Sequence, residues 1–178
     1  WVVVCEGGGL EGSRVGGDFG GRLGAGGGGR RSVFGLAELA VTRGAMGGVI
    51  DFSLSISGSP IADMRGDGIV VATATGSTAY ALSAGGPLVS PGFEGLVAVP
   101  LAPHTLHSRA IVTAKNDVVE VDLTNNQATR EATLSVDGEM LEFDKPVAKV
   151  CVRAGVAPTG PLRYKCEHFH DHAPKVLF

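Results

Sequence analysis

Asp67-Gly68-Ile69-Val70-Val71-Ala72-Thr73-Ala74-Thr75-Gly76-Ser77-Thr78-Ala79-Tyr80-Ala81-Leu82-Ser83-Ala84-Gly85-Gly86-Pro87 is the most informative run in this chain. Asp67-Gly68 is a turn signal, and Ile69 to Thr73 is a short, β-rich apolar run that reads as a strand buried on both faces. Thr75-Gly76-Ser77-Thr78 then offers three hydroxyls and one unhindered backbone position. Ala79 to Ala84 has helix-compatible composition and is stopped by Gly85-Gly86-Pro87. The expected order is strand, hydroxyl-rich turn, short helix, stop. Free N–H groups at such a helix start, with Ser or Thr as N-cap, can hold an anionic or hydrogen-bond-accepting ligand. No lysine accompanies the turn, so it is not the nucleoside-triphosphate loop that ends Gly-Lys-Ser/Thr. Tyr80 and Ser83, three residues apart on one helical face, suit the base and sugar of a nucleotide. On pattern alone, a well-capped helix in a β domain reads the stretch equally well.

Outward from this run the chain reads as strands. Ser32 to Val41 is strand-like, with Arg43-Gly44 as its stop, and Val49 to Ser57 alternates Ile50, Phe52, Leu54 and Ile56 against polar residues, as a half-buried strand does. Gly58-Ser59-Pro60 turns the chain, and Ile61 to Met64 returns as a hairpin partner. Leu96 to Pro100 and Val118 to Leu123 are further strands, and Asp137-Gly138 joins Ala132–Val136 to Met140–Phe143 in a hairpin. Val147 to Arg153 is a strand, as is Trp1 to Cys5 at the other end. Short strands at regular spacing indicate an all-β sandwich, with the helix after Thr78 as a local exception. One β-rich domain is expected over residues 1–178, with a glycine-rich insertion at about 7–29 and an irregular tail at about 163–178.

With 178 residues, 44% of them apolar, the chain can bury one core. A net charge of -3 sets aside functions that need a basic face, so no nucleic acid and no membrane surface is expected as a partner. Cys5, Cys151 and Cys166 are an odd set without framework spacing, which suits free thiols, and no run reaches membrane-spanning length or resembles a signal peptide, so the expected location is cytoplasmic. His104 and His107 read as loop residues, and His168, His170 and His172 as part of a solvated tail rather than a metal site. The opening on Trp1 suggests a fragment or a processed product.

The string Asp67-Gly68, Thr73, Thr75 to Tyr80, Ser83 to Pro87, then Pro103-His104-Thr105-Leu106 and Arg109, resembles the signature of the NAD kinase family. These enzymes phosphorylate the adenosine ribose 2′-hydroxyl of NAD to make NADP, using ATP or polyphosphate with Mg2+ or another divalent cation. The resemblance runs over roughly residues 31–153 and follows the order of the family's C-terminal domain. It implies a two-sheet β-sandwich, a homo-oligomer, and an NAD site lined by Thr75, Thr78, Ala79, Tyr80 and Ser83 on the adenosine side. Glu38 would hold ribose hydroxyls, Asp67 would lie near the nicotinamide ribose facing a neighbouring subunit, and Ala102 would approach through its backbone. An Asp-Gly near the ligand in the family corresponds to Asp137-Gly138. Ala37 stands where the family carries Asn, so one hydrogen bond to the nucleotide is missing.

The family's catalytic Asp belongs to a Gly-Gly-Asp-Gly-Thr motif in an N-terminal α/β domain. Gly16-Gly17-Asp18-Phe19-Gly20 imitates it, but no apolar strand precedes it, and Phe19 and Gly20 occupy the last two positions, so Asp18 reads as loop. The α/β domain is then absent from these residues, no catalytic residue is expected within them, and the chain alone should bind NAD or NADP weakly and turn over little or nothing. Two other readings stay open: a non-catalytic NAD(P)-binding or oligomerisation domain, and a lipid- or sugar-kinase relative on the same scaffold.

Overall fold

The computed structural model describes residues 2–6, 32–45, 48–105, 107–126, 131–143, 146–155 and 169. The expected glycine-rich insertion with Asp18, and the tail with its histidines, lie outside the described residues. Among the described residues twelve strands form two six-stranded antiparallel sheets. They are β1 (Val2–Glu6), β2 (Ser32–Gly35), β3 (Glu38–Arg43), β4 (Ile50–Ile56), β5 (Ser59–Gly66), β6 (Gly68–Ala72), β7 (Val97–Leu101), β8 (Ile111–Val112), β9 (Val118–Asp122), β10 (Ala132–Val136), β11 (Glu139–Leu141) and β12 (Lys149–Ala154). The first sheet runs β2-β1-β12-β9-β4-β5 and the second β11-β10-β3-β6-β7-β8. Between β6 and β7 the chain forms a 3-10 turn at Gly76–Thr78 and the four-residue helix α1 (Tyr80–Ser83).

The alternation read in β4 places Ile50, Phe52 and Leu54 in the space between the sheets. They meet Leu39, Val41, Ile69, Val71 and Leu134 of the second sheet and Val119, Val121, Val150 and Val152 of the first. Each such side chain contributes about 1.5–3 kcal/mol by leaving water. Strand β6 is buried along its whole length because it is central and covered twice. Ile69 and Val71 face the inter-sheet core, while Val70 and Ala72 belong to a second cluster with Ala40, Ala81, Val89, Val97 and Val99. This second cluster is the outer face of the second sheet, and α1 lies on it.

One expected strand divides. Ser32 to Val41 forms β2 in the first sheet and β3 in the second, with the chain crossing between layers at Leu36-Ala37. Gly35 ends β2 at the break, where a Cβ would collide with the Val136 side chain, and the bend is held by Asp137, whose side chain takes the crossover amides, and by Thr73, whose hydroxyl donates to the Leu36 and Ala37 carbonyls. Both predicted hairpins form. Ser57-Gly58 (φ 50° and 80°) joins β4 to β5, and Asp137-Gly138 (φ 50° and 84°) joins β10 to β11. Positive φ at both central positions gives the primed turns that suit the twist of the flanking strands.

Candidate functional site

The hydroxyl-rich turn is held mainly by its own hydroxyls, not by a helix cap. Ser77 is fully buried, and its Oγ donates to the Ala74 carbonyl at 2.7 Å and accepts from the Val89 N–H at 3.2 Å. Thr78 Oγ1 donates to the Thr75 carbonyl at 3.2 Å. The residue before α1 is Ala79, and no side chain caps either short helix. The expected Ser or Thr N-cap is therefore absent, because the turn spends Ser77 and Thr78 on closing itself. Gly76 is required here: a Cβ would collide with the Ala37 carbonyl oxygen, since the turn packs directly on the crossover. What the turn leaves outside is Thr75, Thr78, Ala79, Tyr80 and Ser83, all exposed. Tyr80 is 44% accessible, a large ring presented to solvent.

Beside Tyr80 an open groove of about 530 Å³ runs over the outer face of β3. Ala40, Thr42 and Ser135 form its floor, Tyr80 one wall, and Arg43, Gly44, Ala45 and Asp67 its far end. From Glu38 to Arg43 the strand extends roughly 17 Å, along the groove floor and past its near end. At the far end Arg43 Nε donates to Asp67 Oδ1 at 2.8 Å in an ion pair that both partners leave about half in solvent.

At the near end Glu38 lies on the same face of β3 as Ala40 and Thr42, below the start of α1. Its burial pushes the carboxyl above the ordinary carboxylate value, against the pull of the Ala81 and Tyr80 amides that face it, and negative Asp137 adds to the upward push. Its Oε2 is buried without a protein hydrogen-bond partner. Asp137 behaves oppositely. Partial burial acts upward, but N–H groups of Leu36, Ala37 and Glu38, at 2.6, 2.7 and 3.0 Å, hold its carboxyl below the ordinary value.

Of the residues singled out from the sequence, Tyr80 and Asp67 line the groove, and Glu38 lies beneath its near end. Thr75, Thr78, Ala79 and Ser83 are exposed around the turn but do not line it. Ala102 adopts positive φ (40°) beside Asp67, whose N–H donates to the adjoining Leu101 carbonyl, and stands outside the groove. Thr42, Arg43 and Ser135 were missed; strand alternation from Glu38 through Ala40 to Thr42 is the signal that finds the first. A smaller cleft of about 280 Å³ lies at the edge of the first sheet, among Asp51, Asp63, Arg65, His104 and Thr105. Its Arg65 is already paired with Asp51 at 3.2 Å, and the turn after β6 contributes nothing to it.

The sequence model of the ATP-NAD kinase C-terminal domain matches residues 36–161, which contain the groove, the turn and the Asp137 hairpin. The chain belongs to the ATP-NAD kinase family. It is 36% identical over 141 residues to an NAD kinase of Thermococcus kodakarensis, covering 79% of this chain and 50% of that one. It is 37% identical over 120 residues to an NAD kinase of Methylibium petroleiphilum, covering 67% and 39%. Yeast NADH kinase complexed with NADH superposes with a TM-score of 0.66 at 26% identity, over 73% of this chain and 37% of that one. An Archaeoglobus fulgidus NAD kinase in complex with ATP superposes at 0.59 and 31% identity, over 68% and 46%. The chain thus spans half or less of the length of these two NAD kinases.

Proposed function

We propose that this chain is the dinucleotide-binding part of an NAD kinase, which moves the γ-phosphoryl group of ATP to the adenosine ribose 2′-hydroxyl of NAD. The new bond joins the ribose oxygen to Pγ, the bond from Pγ to the bridging oxygen breaks, ADP leaves, and the hydroxyl proton passes to a general base. The observation that carries the reading is the groove: an exposed tyrosine at one end and a charged pair at the other, with a polar and small-residue floor between them. Its position within the family-matched residues supports the reading further.

In this arrangement Tyr80 offers its ring to the adenine and Glu38 Oε2 accepts from a ribose hydroxyl, filling the one buried side-chain oxygen left unpaired among the described residues. Thr75, Thr78, Ala79 and Ser83 flank the adenosine, while Asp67 and Ala102 serve the nicotinamide end, beside a neighbouring copy in a homo-oligomer. Holding the acceptor hydroxyl in line is this part's share of the rate. Among the described residues no group of three or more His, Cys, Asp or Glu comes together as a metal site, so the divalent cation that accompanies ATP is assigned to none of them and no step is routed through it. The donor ATP, or polyphosphate, and the catalytic base belong to the rest of the family's architecture. No helix among the described residues is long and apolar enough to cross a membrane, and a cytoplasmic location suits the modest acidic charge and the unframed cysteines.

A second reading, a domain that binds NAD(P) without catalysing, is favoured by Ala37, which lacks the side-chain amide of the family's Asn. Two measurements on the purified full-length protein separate these. NADP at a hundred times its dissociation constant should add about 2.7 kcal/mol of stability, while a phospholipid headgroup adds none. Incubation with NAD, ATP and Mg2+ should form NADP; binding without NADP formation would establish the second reading, and no thermal shift would sink both.

A further inference from the structure

We infer that Asp137 is a positioning residue for the dinucleotide site, its carboxylate fixing the crossover backbone that sets Glu38 beneath Tyr80. The inference rests on the groove being the dinucleotide site. A hairpin turn needs Asp137 only for its backbone: positive φ there and at Gly138 satisfies the geometry, and Ser57-Gly58 makes an equivalent turn with a residue that carries no carboxylate of its own. Yet Asp137 Oδ2 accepts from the Leu36 N–H, and Oδ1 accepts from both the Ala37 and Glu38 N–H groups. Three charge-assisted bonds thus reach a segment about a hundred residues away in sequence.

The carbonyls of the same segment are held from other directions. The Thr73 hydroxyl donates to the Leu36 and Ala37 carbonyls at 2.9 and 3.2 Å, and the Thr73 N–H donates to the Ala37 carbonyl at 2.9 Å. The Asp137 N–H donates to the Glu38 carbonyl at 3.0 Å. The crossover is therefore clamped between the Asp137 hairpin and the start of the hydroxyl-rich turn. Glu38 is its last residue and Thr73 lies seven residues before Tyr80, so one clamp fixes Glu38 and the turn that carries Tyr80 relative to each other. Releasing it lets Glu38 move without unfolding either sheet.

Asp137→Asn tests this, because Asn-Gly is a favoured pair for the same turn and keeps the hairpin, while the amide has one acceptor oxygen and presents N–H groups to the crossover donors. NADP affinity is measured calorimetrically for the purified full-length protein, Asp137→Asn, Glu38→Gln and the double variant, with thermal melts as folding controls. Asp137→Asn should weaken NADP about tenfold, and in the Glu38→Gln background its further cost should shrink to about twofold or less, since the two act as a unit. A loss under about twofold in the single variant, or an undiminished loss in the double, overturns the inference. If Asp137→Asn does not fold, Thr73→Val releases the clamp from the other side and must show the same coupling to Glu38. Should the wild type not bind NADP at all, the function reading fails by itself. Amide exchange at Leu36, Ala37 and Glu38 then decides the clamp: faster exchange in Asp137→Asn sustains it and unchanged exchange rejects it.

Discussion

The outer faces of the two sheets use the same strand alternation to opposite ends. On the first sheet Ser53, Ser55, Glu120, Lys149 and Cys151 sit side by side in register across β4, β9 and β12, and the charges answer one another: Lys149 Nζ meets Glu120 Oε2 at 2.5 Å, with the Glu120 side chain only 9% exposed. On the second sheet the corresponding positions are Ala40, Val70, Ala72, Val97 and Val99, which must be covered. The cover is the turn and α1, with Ala81 and Val89 pressed onto the sheet. It stops short of the end of β3, and the groove is what remains uncovered. A polar face that pairs with itself is finished; an apolar face that needs a lid acquires a lid edge, and ligands fit at such edges.

The largest effect that sharpens this contrast lies on the finished face. Lys149→Met leaves Glu120 buried without its partner and should cost about 3 kcal/mol in urea unfolding, whereas Glu120→Leu with Lys149→Met together should recover most of that loss. NADP affinity should stay at the wild-type value in both. A change in affinity comparable with the loss of stability would mean that the faces are coupled, and the contrast would break.

Next in size is Tyr80→Ala on the lid edge, with the pattern reversed. Tyr80 is 44% exposed and so contributes little to folding; its removal should shift stability by less than about 1 kcal/mol. The loss of a stacking ring should weaken NADP about tenfold. Equal losses in stability and binding would make Tyr80 part of the cover and not of the site.

Which parts of this were legible in the sequence follows from how local each cause is. The central strand β6 declares itself by five uninterrupted apolar or small residues, β4 by clean alternation, and the Asp137 turn by its dipeptide. Of the division of Ser32–Val41, Gly35 is the one local sign, and a single Gly does not announce a change of sheet; the groups that hold the bend, Thr73 and Asp137, are supplied from far along the chain. Ser77 read as one more hydroxyl for a ligand, yet it is sealed inside, since spacing cannot tell an alcohol that closes a turn from one that faces a cleft. Glu120 alternates with Val119 and Val121, a pattern that puts it on the solvent side of the strand, yet it is buried because a lysine on the neighbouring strand covers it. For the site, Tyr80 came from its helical face as well as from family resemblance, and Asp67 and Glu38 from resemblance alone; Thr42 follows only from alternation with Glu38, and Ser135 joins the groove floor through the pairing of β3 with β10, which has no local signature.

The smallest effect expected is one of sign. Glu38 and Asp137 are neighbours across β3 and β10, yet their environments act in opposite directions. Glu38 is raised above 4.5 by burial, so its contribution to stability is complete below 4.5 and is lost as pH climbs through the raised value, where a charge must be held away from water. Asp137 is lowered below 3.8: burial opposes the shift, and the three crossover amides overcome it. Its contribution is therefore complete above 3.8 and disappears as pH falls through the lowered value. Stability measured against pH should show Glu38→Gln gaining on the wild type as pH rises from 4.5, then running parallel to it. Asp137→Asn should trail the wild type above 3.8 and converge on it in more acid solution. Two curves bending the same way would mean that one of the carboxylates is not where its hydrogen bonds put it, and the crossover clamp would lose the asymmetry that lets an ionised Asp137 hold the backbone around a reluctant Glu38.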